Sequence, residues 1–195
     1  MGLHVHSLEN IPRTENRDFL VYLLDYGWHE SLSKALRDNY DKMAGIAAQN
    51  RAVVIKGTEG IHFENEVFSW HQINDERGDD ILPAVLVTNA HPDYFRNNNT
   101  GYRLSKGHYR ESQDENLKLV LIPLKKFCTS TTEVVSLIEK LFLDIEAGKD
   151  LSDFKVAKAA KKGVGHALVD SVILEPNVAG IGFSFNKLIN YFKSK

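Results

Sequence analysis

The segment from Tyr94 to Arg110 combines cations with aromatic rings and is the stretch most suited to bind a ligand. It holds no acidic residue, and its cationic and aromatic members are Arg96, Arg103, Lys106, Arg110, Tyr94, Tyr102 and Tyr109. Cations neutralise phosphates, and aromatic rings stack on unpaired bases. The segment therefore predicts an anion-binding or single-stranded nucleic-acid-binding loop, with the lysines between Lys155 and Lys162 as a second cationic cluster.

The surroundings of this segment favour a different interpretation. Acidic residues flank it and weaken its field: Asp93, Glu111, Asp114 and Glu115. The whole chain carries a formal charge of -2, which is not the electrostatic footprint of a typical nucleic-acid binder. A solvated hairpin loop whose tyrosines cover the edge of the core explains the same residues.

Nucleophilic catalysis has two candidate centres. Cys128 stands next to Lys125 and Lys126, which would lower the pKa of its thiol, although a small buried cysteine is the commoner state. His29, together with His91 and His108, offers imidazole groups that the sequence cannot place relative to one another. A hydrolase or transferase centred on His29 or Cys128 therefore stays a third possibility.

Composition limits the class of protein. The 195 residues are 43% hydrophobic and 26% charged, as in an ordinary globular protein. The one cysteine excludes an internal disulfide and a two-thiol redox couple, which indicates a reducing, cytoplasmic location. No apolar run approaches the ~20 residues that span a bilayer, and the first residues do not form a signal peptide. We expect no membrane association and no cofactor or bound metal.

Hydrophobic patterning predicts alternating strands and helices. Apolar runs predict strands at 19–24, 52–55, 81–88 and 117–122, with Pro83 at the start of the third because proline cannot donate to a ladder. Helical spacing predicts one helix over 28–50 and a short one over 64–73, with His71 on its surface. A third helix begins at a capping box formed by Ser130 and Glu133, and Gly148 ends it.

This order resembles the thioredoxin-like fold family. A helical crossover makes the first two strands parallel, and the third and fourth can pair antiparallel across the long loop. That family carries a proline, usually cis, at the start of its third core strand, as Leu82-Pro83-Ala84-Val85 does here. The resemblance implies an α/β fold: a thioredoxin-like three-layer sandwich with a mixed central sheet and a C-terminal β-loop-α extension. Residues 1–18 would form an N-terminal arm or edge strand, 19–148 the core and 149–195 the extension.

The same resemblance removes the chemistry usual in the family. Where thioredoxins place Trp-Cys-x-x-Cys, this chain has Trp28-His29-Glu30-Ser31-Leu32, so that His29 and Leu32 occupy the cysteine positions. Disulfide exchange needs a thiolate, which neither residue supplies. The resemblance implies a redox-inactive binding or adaptor domain that docks a protein partner, more naturally than an enzyme. Trp28, His29, Leu82 and Pro83 would form the docking groove, and the extension could support self-association through its apolar residues.

Overall fold

The computed structural model describes residues 1–13, 17–26, 31–58, 62–71, 73, 81–96, 118–156 and 173–174. Its centre is a sheet of six strands: β1 (Gly2–Val5), β2 (Phe19–Leu24), β3 (Ala52–Gly57), β4 (Ala84–Thr88), β5 (Leu119–Pro123) and β6 (Ile173–Leu174). Their spatial order is β1-β3-β2-β4-β5-β6. Because β1 pairs with β3 rather than β2, two strands distant in the chain become neighbours.

The sheet is mixed, as the element order predicts. β1 and β2 both run parallel to β3, whereas β4 runs antiparallel to β2 and β5 antiparallel to β4. The predicted parallel and antiparallel pairings are therefore both confirmed. Of the predicted C-terminal extension, the structure describes residues 149–156 and β6, which runs antiparallel to β5; the rest of it lies outside the described residues.

The helices with defined bounds are α1 (Ser31–Asp38), α2 (Tyr40–Gln49), α3 (Phe63–Trp70), α4 (Leu124–Phe127) and α5 (Thr131–Glu146). Short 3-10 turns lie at Leu8–Asn10 and Leu151–Asp153, and residues 92–96 are helical. The prediction of one helix over 28–50 is wrong, because the chain breaks at Asn39. There φ is -97° and ψ is 3°, and the side-chain amide donates to the carbonyl of Ala35 at 2.8 Å.

Strict alternation along β2 divides the core into two layers. Phe19, Val21 and Leu23 face the cluster that contains α1, α2 and α5. Leu20, Tyr22 and Leu24 face the opposite cluster, which contains α3 and the segment after β1. Since side chains alternate faces in a strand, the wholly apolar run of β2 is what a sheet covered on both faces requires. The predicted three-layer α/β sandwich is confirmed.

Helix α5 has the predicted ends. Ser130 Oγ accepts the N–H of Glu133 at 3.3 Å, and the Glu133 carboxylate accepts the N–H of Thr129 at 2.6 Å, which lowers the pKa of Glu133. At the other end Gly148 has a φ of 60°, a conformation that costs glycine little. Its N–H donates to the carbonyl of Ile145 at 3.0 Å.

A buried carboxylate on α5 holds the segment that follows the helix. The side chain of Asp144 is 2% exposed, accepts a bond from Lys149 Nζ at 2.6 Å and another from the N–H of Lys155 at 2.7 Å. Leu151 and Phe154, which lie between those two lysines, are buried against the α5 side of the sheet. Asp144 therefore fixes a loop whose own residues complete the core.

Two local predictions are corrected. The third strand starts at Ala84 rather than Ile81, because Pro83 lies outside the ladder. His71, predicted on a helix surface, is fully buried between Tyr22 and Phe95. Within the described ranges, no helix has the length and apolar character to cross a membrane.

Candidate functional site

The candidate site lies at one end of the sheet, where β2, β3 and β5 finish and β4 begins; we call it the Pro83 end. The Leu82–Pro83 peptide bond is cis, and the next residue, Ala84, pairs with Leu24 of β2 and Pro123 of β5. The carbonyl of Pro83 accepts the N–H of Leu124 at 2.8 Å. The strands that precede α1 and α3 in the chain, β2 and β3, both end here.

Both predicted docking residues that the structure describes are buried. Leu82 is 2% exposed and belongs to the cluster on the α3 side, and Pro83 is buried as well. Trp28 and His29 lie outside the described residues. The Leu82 side chain therefore packs the core, and a partner at the Pro83 end would meet the polar residues around it.

Asp25 is the first of two carboxylates at this end that the sequence analysis missed. It follows β2 directly and accepts hydrogen bonds from Ser33 Oγ at 2.9 Å and from an Arg37 Nη at 2.6 Å. Both donors lie on α1, and the Asp25 side chain is 15% exposed. The bonds fix the start of α1 against the end of β2. An Asp placed directly after an apolar strand was the sequence signal.

Glu64 is the second carboxylate, and it is more deeply buried. Its side chain is 4% exposed although it lies in the first turn of α3, and Nδ1 of His62 stands 3.3 Å from one of its oxygens. Burial raises the pKa of Glu64, and the charge of Asp25 adds to the rise, while hydrogen bonds from its own N–H and from His62 partly offset it. A buried acid with a perturbed pKa is typical of functional sites.

Replacing Glu64 tests whether its charge strains the fold. We expect Glu64→Gln to raise the free energy of unfolding by ~0.5–1 kcal/mol at pH 7, because the amide is neutral and avoids the cost of burying a charged carboxylate. Because the pKa of Glu64 is raised in the folded state, its carboxyl group lowers the stability of the fold at pH values above 4.5, the pKa of the unfolded state. The stability gained by Glu64→Gln should therefore vanish below pH 4.5. Urea unfolding at both pH values measures it.

A neighbouring glutamate on α3 supplies the control. The Glu66 carboxylate accepts Ser7 Oγ at 2.6 Å and the N–H of Leu8 at 2.9 Å, so Glu66→Gln should lose stability at pH 7. A destabilised Glu64→Gln protein at pH 7 would contradict the prediction, since it would mean that the fold favours the ionised carboxylate.

A shallow groove extends from the Pro83 end between α1 and the start of α5. Its volume is about 560 Å³, it is open to solvent, and it begins at Ser31, the first residue of α1. Ala35 and Val135 give it apolar floor, and Asn39 and Thr132 give it hydrogen-bonding groups. A groove of mixed polarity beside the Pro83 end extends the surface that a bound chain could follow.

The basic and aromatic segment begins at the opposite end of the sheet. Its first residues follow β4, which spans about 13 Å from Ala84 to Thr88. Arg96 is already engaged: a guanidinium nitrogen lies 3.1 Å from a carboxylate oxygen of Glu9, and the group stacks over the Trp70 ring at 4.6 Å. Arg103, Lys106, Arg110, Tyr102 and Tyr109 lie outside the described residues. The anion-binding or nucleic-acid-binding interpretation therefore stays a prediction.

Neither described nucleophile candidate has a catalytic environment. Cys128 is 4% exposed, and burial, with the nearby charge of Glu133, raises the pKa of its thiol to about 11. A thiol with that pKa is a poor nucleophile at neutral pH. His91 lies beyond the far end of β4, and its two ring nitrogens bond to the carbonyl of Ile11 and to the N–H of Asp93. His29 and His108 lie outside the described residues.

Metal binding finds no support in the part of the chain that the structure describes. No group of three or more His, Cys, Asp or Glu side chains there could hold an ion. The site is thus a set of polar side chains around a buried turn, centred on Asp25 and Glu64.

Comparison with protein-family models, with curated proteins and with solved structures found no match. The description of this chain therefore depends on its own structure, which is an α/β sandwich with a mixed sheet and a cis-proline turn at one end.

Proposed function

We propose that this protein is a thioredoxin-like binding domain that docks a polypeptide partner at the Pro83 end without thiol chemistry. The observation that carries the proposal is the position of Pro83, which directly precedes β4 where that strand pairs with the ends of β2 and β5. The sheet order, with two parallel and three antiparallel pairings among the described strands, is compatible with that family.

The chemistry of the lone cysteine supports a binding role over a redox role. Cys128 is the one cysteine in the sequence, and its thiol is buried with a raised pKa. A mixed-disulfide reaction needs an accessible thiolate, so the chain has no suitable attacking group. Trp28 and His29, at the family's active-site position by sequence, would then serve recognition.

The rim of the Pro83 end supplies the contacts for a partner. Since Leu82 is buried, recognition falls to the less buried residues around it, among them Tyr26, Thr58 and the exposed His62. These residues offer an aromatic ring and polar groups of the kinds that bind polypeptides. The groove between α1 and the start of α5 would accommodate the continuation of a polypeptide bound at the Pro83 end.

Site-specific photo-crosslinking in cells tests the proposal. A photoreactive amino acid replaces Tyr26, Thr58 or His62 in three separate variants. Matched controls carry it at Lys42 and Glu139, which form an exposed ion pair on the α2 and α5 surface. We expect one discrete adduct from the Pro83-end positions and none from the controls, with loss of the adduct when Trp28→Ala is added.

The mass of the adduct separates the two kinds of partner. Twice the mass of the chain indicates a second copy, and any other mass a different protein. Equal crosslinking from the control positions, or a discrete adduct from the controls alone, would overturn the proposal.

A further inference from the structure

Among the described residues, two polar atoms in the centre of the α3-side core have no hydrogen-bond partner: the hydroxyl of Tyr22 and Nε2 of His71. Both side chains are completely buried. Buried polar groups in folded proteins are nearly always satisfied, by protein or by ordered water. Two unsatisfied groups on touching residues therefore call for a common explanation.

The tautomer of His71 is fixed by its other ring nitrogen. Nδ1 lies 2.8 Å from the carbonyl oxygen of Val67, and a carbonyl can only accept, so Nδ1 carries the proton. Nε2 is then a lone-pair acceptor. Burial also keeps the ring neutral, with a pKa of about 4.

The Tyr22 hydroxyl is the complementary group. Burial raises the pKa of this phenol well above 10, so it keeps its proton and can donate. The Tyr22 and His71 rings meet edge-on, with centroids 5.4 Å apart and an interplanar angle of 71°. No direct bond joins the hydroxyl to Nε2, so two residues whose rings are in contact carry a donor and an acceptor that do not bond to each other.

We propose that one buried water molecule bridges the Tyr22 hydroxyl and Nε2 of His71. A water accepts from the phenol and donates to the imidazole, which is the combination that these two groups require. Two hydrogen bonds of about 2.8 Å each, at the roughly tetrahedral angle of a water oxygen, let a water join atoms about 5 Å apart. Immobilising one water costs less than burying two orphaned polar groups, so the bridged arrangement wins.

The bridge would tie the middle of β2 to the end of α3. His71 is the residue that follows α3, and Phe95 covers the other side of its ring with centroids 4.6 Å apart. The water would thus lie where three parts of the α3-side core meet. It would act as a structural ligand that the two side chains select.

A crystal structure at a resolution that places waters decides the question. We expect a density peak within ~2.7–3.2 Å of both atoms in the parent protein, and its loss in Tyr22→Phe, which removes the hydroxyl alone. Tyr94→Phe is the control, because Tyr94 is partly exposed and packs on Phe95 without touching His71 in the ring contacts described; its peak should remain.

The parent protein alone can overturn the proposal, so a variant that fails to fold does not remove the test. The absence of density between the two atoms, or a direct bond between them, would refute the bridge. Long-range ¹⁵N–¹H NMR supplies an independent readout: the proton should stay on Nδ1 of His71, and a proton on Nε2 would also refute it.

Discussion

Acidification from pH 7 to pH 4 is expected to cost the protein roughly 3 kcal/mol of unfolding free energy through His71 alone. Burial lowers the pKa of His71 from 6.5 to about 4 in the folded state. Between pH 6.5 and pH 4, His71 is protonated in the unfolded chain but stays neutral in the folded chain. Stability from this residue is therefore complete above pH 6.5 and is lost as the pH falls toward 4. Urea unfolding at half-unit pH intervals measures the slope.

The contribution of His71 to the pH dependence of stability is measured by comparing the parent protein with two variants. His71→Leu should remove the slope between pH 6.5 and 4, whatever its effect on stability at pH 7. His6→Leu, which removes an exposed imidazole, should keep the slope of the parent. The rise in the pKa of Glu64 has the opposite sign and is present in all three proteins, so it cancels. An unchanged slope in His71→Leu would show that the imidazole is not buried in its neutral form.

Replacing Asp144 by Asn is expected to lower the free energy of unfolding by roughly 2–3 kcal/mol. Most of this loss comes from the buried hydrogen bond that the N–H of Lys155 donates to the Asp144 carboxylate, because in the variant that N–H faces an uncharged amide. The ion pair with Lys149 adds less, because that lysine is 35% exposed and its charge is screened. Chemical denaturation at pH 7 gives the total.

Two variants separate these contributions. Lys149→Met removes the charge and keeps the aliphatic stem, so it should cost under about 1 kcal/mol. Glu139→Gln, on the same helix but in an exposed pair with Lys42, should be nearly neutral. Hydrogen exchange at the amide of Lys155 should accelerate in Asp144→Asn alone. An Asp144→Asn protein as stable as Glu139→Gln would contradict the anchoring role.

The sequence predicts this fold well because local signals agree with it. The apolar runs predicted as strands coincide with β2 and β3, and the predicted capping residues Ser130 and Gly148 lie at the two ends of α5. What sequence reasoning missed depends on contacts between distant residues. The break at Asn39, where the side-chain amide donates to the carbonyl of Ala35, interrupts an apolar pattern that is otherwise regularly helical.

The site was harder to predict than the fold. His71 follows Phe63 and Val67 at spacings of four, so helical periodicity does place it on the buried stripe of α3. Its polar type favoured the surface instead. Leu82, expected to meet a partner, packs in the core, and Glu64 acquires its raised pKa from burial and, in smaller part, from the charge of Asp25. No spacing rule connects residues brought together by separate strands.

The position of β1 has a consequence for how the chain is made. Its residues pair only with β3 among the described strands, and Gly2 lies opposite Val54. During synthesis the first strand must therefore wait until some fifty further residues, including all of β2 and both following helices, have emerged. Until it docks, β3 presents an open edge to other nascent chains. Thus β1, although made before β2 and β3, forms the outer strand on this side of the described sheet.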